Sequence, residues 1–66
     1  MYVDKFGNKL QIDDRIIIPS STNYKEYIIY KIKRSVMFID EVYVYAKDVV
    51  NNENIIIFAS DVQKVG

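Results

Sequence analysis

The chain has neither cysteine nor histidine among its 66 residues. Without cysteine there is no disulfide to staple the fold and no thiolate to act as nucleophile or metal ligand. Without histidine the commonest general base is missing as well. Ser20, Ser21, Ser35 and Ser60 therefore lack the usual partner for nucleophilic catalysis, and no catalytic residues are assigned. The expectation is a protein that is not an enzyme and carries no cofactor.

Other shortages are equally informative. Leucine occurs once, at Leu10, and alanine only at Ala46 and Ala59, so good helix formers are scarce. Proline occurs once, at Pro19. No apolar run approaches the roughly 20 residues that a membrane-spanning helix needs, and no basic segment leads into an apolar one at the N-terminus. A soluble, cytoplasmic protein without a membrane partner is expected. Net charge is zero, nine Lys plus Arg against nine Asp plus Glu. Nucleic-acid binders usually carry a basic excess, and a neutral chain lacks one guard against self-association.

What is abundant is Ile, Val, Tyr and Phe. Hydrophobic residues make up 50% of the chain, enough to exclude disorder. β-Branched and aromatic residues suit pleated, half-buried surfaces. A chain this short buries only about 60% of its unfolded surface, so residues 1–66 are read as one small domain.

Turn residues divide the chain into short strands. Tyr2-Val3 opens one, Gly7-Asn8 turns, and Lys9–Ile12 alternates polar with apolar. Asp13-Asp14 is a second turn, and Arg15–Ile18 is an apolar run, with Ile16–Ile18 expected in the core, stopped by Pro19. Ser20–Asn23 is a polar loop. Tyr24–Lys33 alternates with period two, putting Ile28, Tyr30 and Ile32 on one face and Tyr27, Ile29, Lys31 and Lys33 on the other. Arg34-Ser35 turns into an extended segment over Val36–Ala46, broken or bulged near Asp40-Glu41. There Val42 and Val44 face one way and Tyr43 and Tyr45 the other. Asn51–Asn54 is a hairpin loop, since Asn tolerates the left-handed backbone that tight turns need. Ile55–Phe58 reads as a buried strand, Ala59–Asp61 as one helical turn with Ser60 as its cap, and Val62–Val65 as a last strand. Five or six short strands at this spacing indicate a small all-β sandwich or barrel.

The segment Asp4-x-x-Gly7-Asn8-x-Leu10-x-Ile12-Asp13-Asp14-Arg15-Ile16 resembles the opening of small SH3-like, KOW-like barrels, a fold common among bacteriophage proteins. Tyr30-Lys31-Ile32 is similar to their apolar-Lys-Ile strand, and Phe58–Val65 to their closing strand, single turn and final strand. The likeness covers most of the chain. It implies a five-stranded SH3-like barrel with one 3₁₀ turn before the last strand, working in the cytoplasm of a host cell. Asp13 stands where the family usually has Gly, which implies an Asp in a conformation that Gly prefers. Glu26 or Tyr27 stands where KOW motifs often carry Gly.

Three functional expectations follow. The first is a non-enzymatic interaction module that binds a protein, host or viral, through Tyr24, Tyr27, Tyr43 and Tyr45, or by strand addition at an open edge. Tyrosine offers a large contact area with a polar tip. The second is weak nucleic-acid binding at Lys31, Lys33 and Arg34, the one basic cluster, where cations beside aromatics could touch phosphates and stack bases. A solvated strand face is the plainer reading of those lysines. The third is a structural protomer in a homo-oligomer. Asp13-Asp14 and the loose group Asp40, Glu41 and Asp48 lack metal-ligand spacing, so no metal site is expected.

Overall fold

In a computed structural model, residues 2–37 and 41–65 are described. The fold is all-β. Five strands, β1 (Arg15–Ile17), β2 (Tyr27–Arg34), β3 (Val42–Asp48), β4 (Asn54–Phe58) and β5 (Gln63–Lys64), form one sheet. A single 3₁₀ turn, η1 (Ala59–Asp61), precedes the last strand. Every pairing is antiparallel and the order is β4-β3-β2-β1-β5. The last strand thus returns beside the first, as in SH3-like barrels. Among the described residues no ladder joins β4 to β5, so the barrel stays open between its two edge strands.

Alternation decides what is buried. In β3, Val44, Ala46 and Asp48 point inward and are buried, while Tyr43, Tyr45 and Lys47 point outward. The core consists of Leu10, Ile16, Tyr27, Ile29, Val44, Ala46, Ala59 and Val62, with Ile32, Val42, Ile55 and Ile57 packed against it. Burying one such aliphatic side chain contributes about 1.5–3 kcal/mol.

β2 breaks the simple alternation. Ile29 pairs with Ala46 and Lys31 with Tyr45, so Tyr30 is an extra residue on β2, a bulge. Upstream of it Tyr27 and Ile29 face the core; downstream the inward position passes to Ile32. The expectation that Ile28, Tyr30 and Ile32 share a face therefore fails at Ile32. The expectation that Lys31 and Lys33 share a face with Tyr27 and Ile29 fails for the same reason. One inserted residue inverts every later side chain.

The turns form where expected. Gly7 has φ +84°, Asp13 φ +76° and Asn52 φ +60°. Asp13 does occupy a left-handed conformation, and its N–H donates to the carbonyl of Ile29 at 2.8 Å. Asp14 then accepts the N–H of Gln11 at 2.8 Å, closing the turn from the other side. In the β3–β4 hairpin, Asp48 accepts the N–H groups of Val50 and Asn51 at 2.7 and 3.2 Å. These bonds hold its carboxyl below the usual aspartate range.

Several expected elements differ. Tyr2-Val3 and Lys9–Ile12 are not strands but touch through one bridge, Val3 to Lys9, and only Leu10 of that stretch is buried. Of Ile16–Ile18, Ile16 alone is fully buried. β2 begins at Tyr27 and β3 at Val42, leaving Val36 and Met37 exposed. The break expected at Asp40-Glu41 lies partly outside the described residues. β4 is an edge strand with no fully buried residue, because it has a neighbour on one side only. Ser60 lies inside η1, whose start has no side-chain cap; its hydroxyl reaches Glu41 at 3.4 Å.

The two sheet edges are finished differently. Beside β5, the carboxylate of Asp4, only 4% exposed, accepts the Lys64 N–H at 2.7 Å. It also accepts N–H groups from Phe6 and Asn8, each at 2.8 Å, and the Asn8 side-chain amide at 3.1 Å. The Lys5 N–H adds a bond to the Val62 carbonyl at 2.9 Å. The N-terminal loop is thereby fastened over that edge.

Candidate functional site

The register of β2, β3 and β4 builds one face outside the barrel. Directly paired residues on neighbouring strands share a side of the sheet. Lys33, Tyr43 and Phe58 form one row, and Lys31, Tyr45 and Ile56 the next. Tyr43 and Phe58 stack with centroids 5.0 Å apart. The Lys31 ammonium lies 5.1 Å from the centroid of Tyr45, within cation–π range. Tyr30, pushed outward by the bulge, meets Tyr45 edge-on at 6.3 Å.

The face continues into a groove at each end. Toward the hairpin, a depression of about 470 Å³ is lined by Arg15, Ile28, Tyr30 and Lys47 and also by the acids Asp13 and Asp48. At the far end a smaller one, about 180 Å³, is lined by Lys33, Arg34, Met37, Tyr43 and Tyr45.

Charge on these strands is one-sided although the chain is neutral. β2, β3 and β4 together hold four cations and one acid: Lys31, Lys33 and Lys47 point outward, whereas Arg34, paired with Val42 at the exposed end of β2, and Asp48 hold inward positions. None of the four cations forms an ion pair with a described residue. The ion pairs present are Arg15–Glu26 at 3.2 Å, Lys25–Asp48 at 3.9 Å and Lys64–Asp14 at 3.6 Å.

The structure therefore joins two groups that the sequence left separate. Tyr43 pairs with Lys33 and Tyr45 with Lys31 across one ladder, with Arg34 the next residue of β2. Tyr27 does not belong: it is 8% exposed and part of the core, because it lies before the bulge. Tyr24 is exposed but sits apart, ahead of β2, where its hydroxyl donates to Glu26 at 2.9 Å. That bond raises its pKa. Tyr30, Ile56, Phe58 and Lys47 were not singled out from the sequence. Phe58 and Ile56 lie in an apolar run that reads as core, and Tyr30 owes its position to the bulge.

Among the described residues no group of three or more acidic side chains is placed to hold a metal ion. No described helix is long and apolar enough to cross a membrane. No protein-family model, curated protein or solved structure matches this chain.

Proposed function

We propose that the protein is a non-enzymatic binding module whose outer β2–β3–β4 face takes a single-stranded nucleic acid. One observation carries this reading: a column of lysines along β2 lies beside a column of aromatic rings along β3, and among the described residues those lysines form no ion pair and the outward positions of β2, β3 and β4 hold no acid. Aromatic rings stack bases without regard to sequence, and lysines beside them follow the phosphates. With three or four phosphates engaged, log K falls with log salt at a slope of about −2 to −3. Binding is then weak at physiological salt, as a neutral chain predicts.

Fluorescence anisotropy with a labelled oligothymidine at low salt tests the idea, with the duplex of the same length as control. Lys31→Glu plus Lys33→Glu removes binding to the single strand. No anisotropy change with wild-type protein at low salt refutes the proposal. So does binding that the double charge reversal leaves unaltered.

A protein partner on the same face is the second reading, favoured by the exposed Ile56 beside the Tyr43–Phe58 stack. A binding partner whose capture needs Tyr43 and Tyr45 but is indifferent to salt would support it. The lineage we propose is that of phage-encoded SH3-like barrels acting in the host cytoplasm. The strand order and the left-handed Asp13, in the place of the family's glycine, support that lineage.

A further inference from the structure

We infer that the free edge of β4 pairs with β4 of a second copy of this chain, antiparallel about a two-fold axis at Ile56. The hairpin fixes which backbone groups face outward. The Asp48 N–H donates to the Glu53 carbonyl at 2.8 Å, so that pair is hydrogen-bonded. Antiparallel ladders alternate bonded and non-bonded pairs. Ala46–Ile55 and Val44–Ile57 are therefore bonded, while Lys47–Asn54 and Tyr45–Ile56 are not. The N–H and C=O groups of Asn54 and Ile56 consequently point away from β3, along the open edge.

Among the described residues, that edge has none of the usual guards at Asn54 and Ile56. Natural edges carry lysine, proline, bulges or very short strands that discourage pairing. The other edge of this sheet is so protected: β5 is two residues long and Asp4 covers the Lys64 N–H. β4 spans five residues, Asn-Ile-Ile-Ile-Phe, without a charge, a proline or a register shift.

The register is self-complementary. Centred on Ile56, the pairing lets each Ile56 exchange two hydrogen bonds with Ile56 of the second copy, and it opposes no two like charges. The Ile56 side chain, 62% exposed in the monomer, is covered by its counterpart. The neutral chain offers little long-range repulsion against a second copy. The dimer would join the two outer faces into one continuous surface, but its formation does not depend on the nucleic-acid reading.

Sedimentation of the full chain from micromolar to millimolar concentration tests the inference. The weight-average mass is expected to rise from 7.8 kDa toward twice that value. Ile56→Lys, which places two ammonium groups face to face, is expected to hold the protein at the monomer mass. Phe6→Lys, exposed in the loop over the opposite β5 edge, leaves the dimer intact. Hydrogen exchange on the unmodified protein reads the same event without a variant: the Ile56 amide slows about tenfold or more with concentration, while Ile55 and Ile57 change little. A monomer throughout the range overturns the inference. A dimer that survives Ile56→Lys, or an Ile56 amide indifferent to concentration, does so as well. Ile56→Lys adds a cation beside Tyr45, so oligonucleotide binding that persists in this monomeric variant separates the two proposals.

Discussion

Removing the Asp4 carboxylate tests how the open barrel is held at its β5 edge. Asp4→Ala deletes four hydrogen bonds: two from loop N–H groups of Phe6 and Asn8, one from the Asn8 side chain and one from Lys64 in β5. A hydrogen bond to a charged group contributes about 1.5–3 kcal/mol net. Phe6 and Asn8 are exposed, so water can replace much of what their donors lose. The Lys64 N–H is less accessible. Counting that bond in full and the loop bonds in small part gives a loss of about 3 kcal/mol. A domain of this length holds about 3–10 kcal/mol in total, so the loss is a large share. It corresponds to a fall in Tm of about 12–24 °C. Thermal unfolding followed by far-UV circular dichroism measures it. Asp4→Asn, which keeps one oxygen, should fall between wild type and Asp4→Ala.

The effect also has a pH signature. Burial raises the Asp4 pKa, but the N–H groups of Lys64, Asn8 and Phe6, with the Asn8 side chain, outweigh it and hold the carboxyl below its ordinary 3.8. A depressed carboxylate pKa gives stability that is complete above the unfolded value. That stability is lost as pH falls through the folded one. The gap between wild type and Asp4→Ala should therefore be constant above about pH 5 and shrink on acidification below 3.8. A drop in Tm of less than about 4 °C, or a gap that does not shrink in acid, would refute the role assigned to Asp4.

Two further outcomes are expected. Tyr43→Ala plus Tyr45→Ala removes the ring contacts to Phe58 and Tyr30 but leaves the inner face untouched. The protein stays folded at room temperature, weakened by about 1–3 kcal/mol, and loses oligonucleotide binding; unfolding of this variant would mean that the two rings belong to the core. Asp13→Gly relieves a left-handed aspartate and should raise stability by a few tenths to about 1 kcal/mol in urea titrations; a clear loss would show that the aspartate stabilises the turn beyond its backbone bond.

Turn chemistry was the most legible part of the chain. Gly7 and Asn52 are left-handed in turns expected from local sequence, and Asp13 is left-handed as its place at the resembled family's glycine implied. The separation of Val42 and Val44 from Tyr43 and Tyr45 was equally plain, because β3 keeps its alternation throughout, but which pair faces inward was settled by the fold. Strands near the N-terminus were less legible. Lys9–Ile12 alternates like a strand, yet it gains only one bridge, Val3 to Lys9, made by the Leu10 N–H to the Tyr2 carbonyl and the Asp4 N–H to the Asn8 carbonyl. Ile55–Phe58 looks buried in composition, but composition cannot show that a strand lies at a sheet edge.

The all-β class, the positions of the tight turns and the lack of histidine and cysteine follow from composition and local pattern. These depend on residue identity and on neighbours close in the chain. Tertiary structure alone decided which side chains share the outer face. The bulge at Tyr30 leaves Tyr27 in the core and turns Lys31 and Lys33 outward, and β3 then sets Tyr43 between Lys33 and Phe58 and Tyr45 between Lys31 and Ile56. A bulge exists only relative to a partner strand. The register that unites cations with aromatics, and the edge left open on β4, could therefore not be read from β2, β3 or β4 alone.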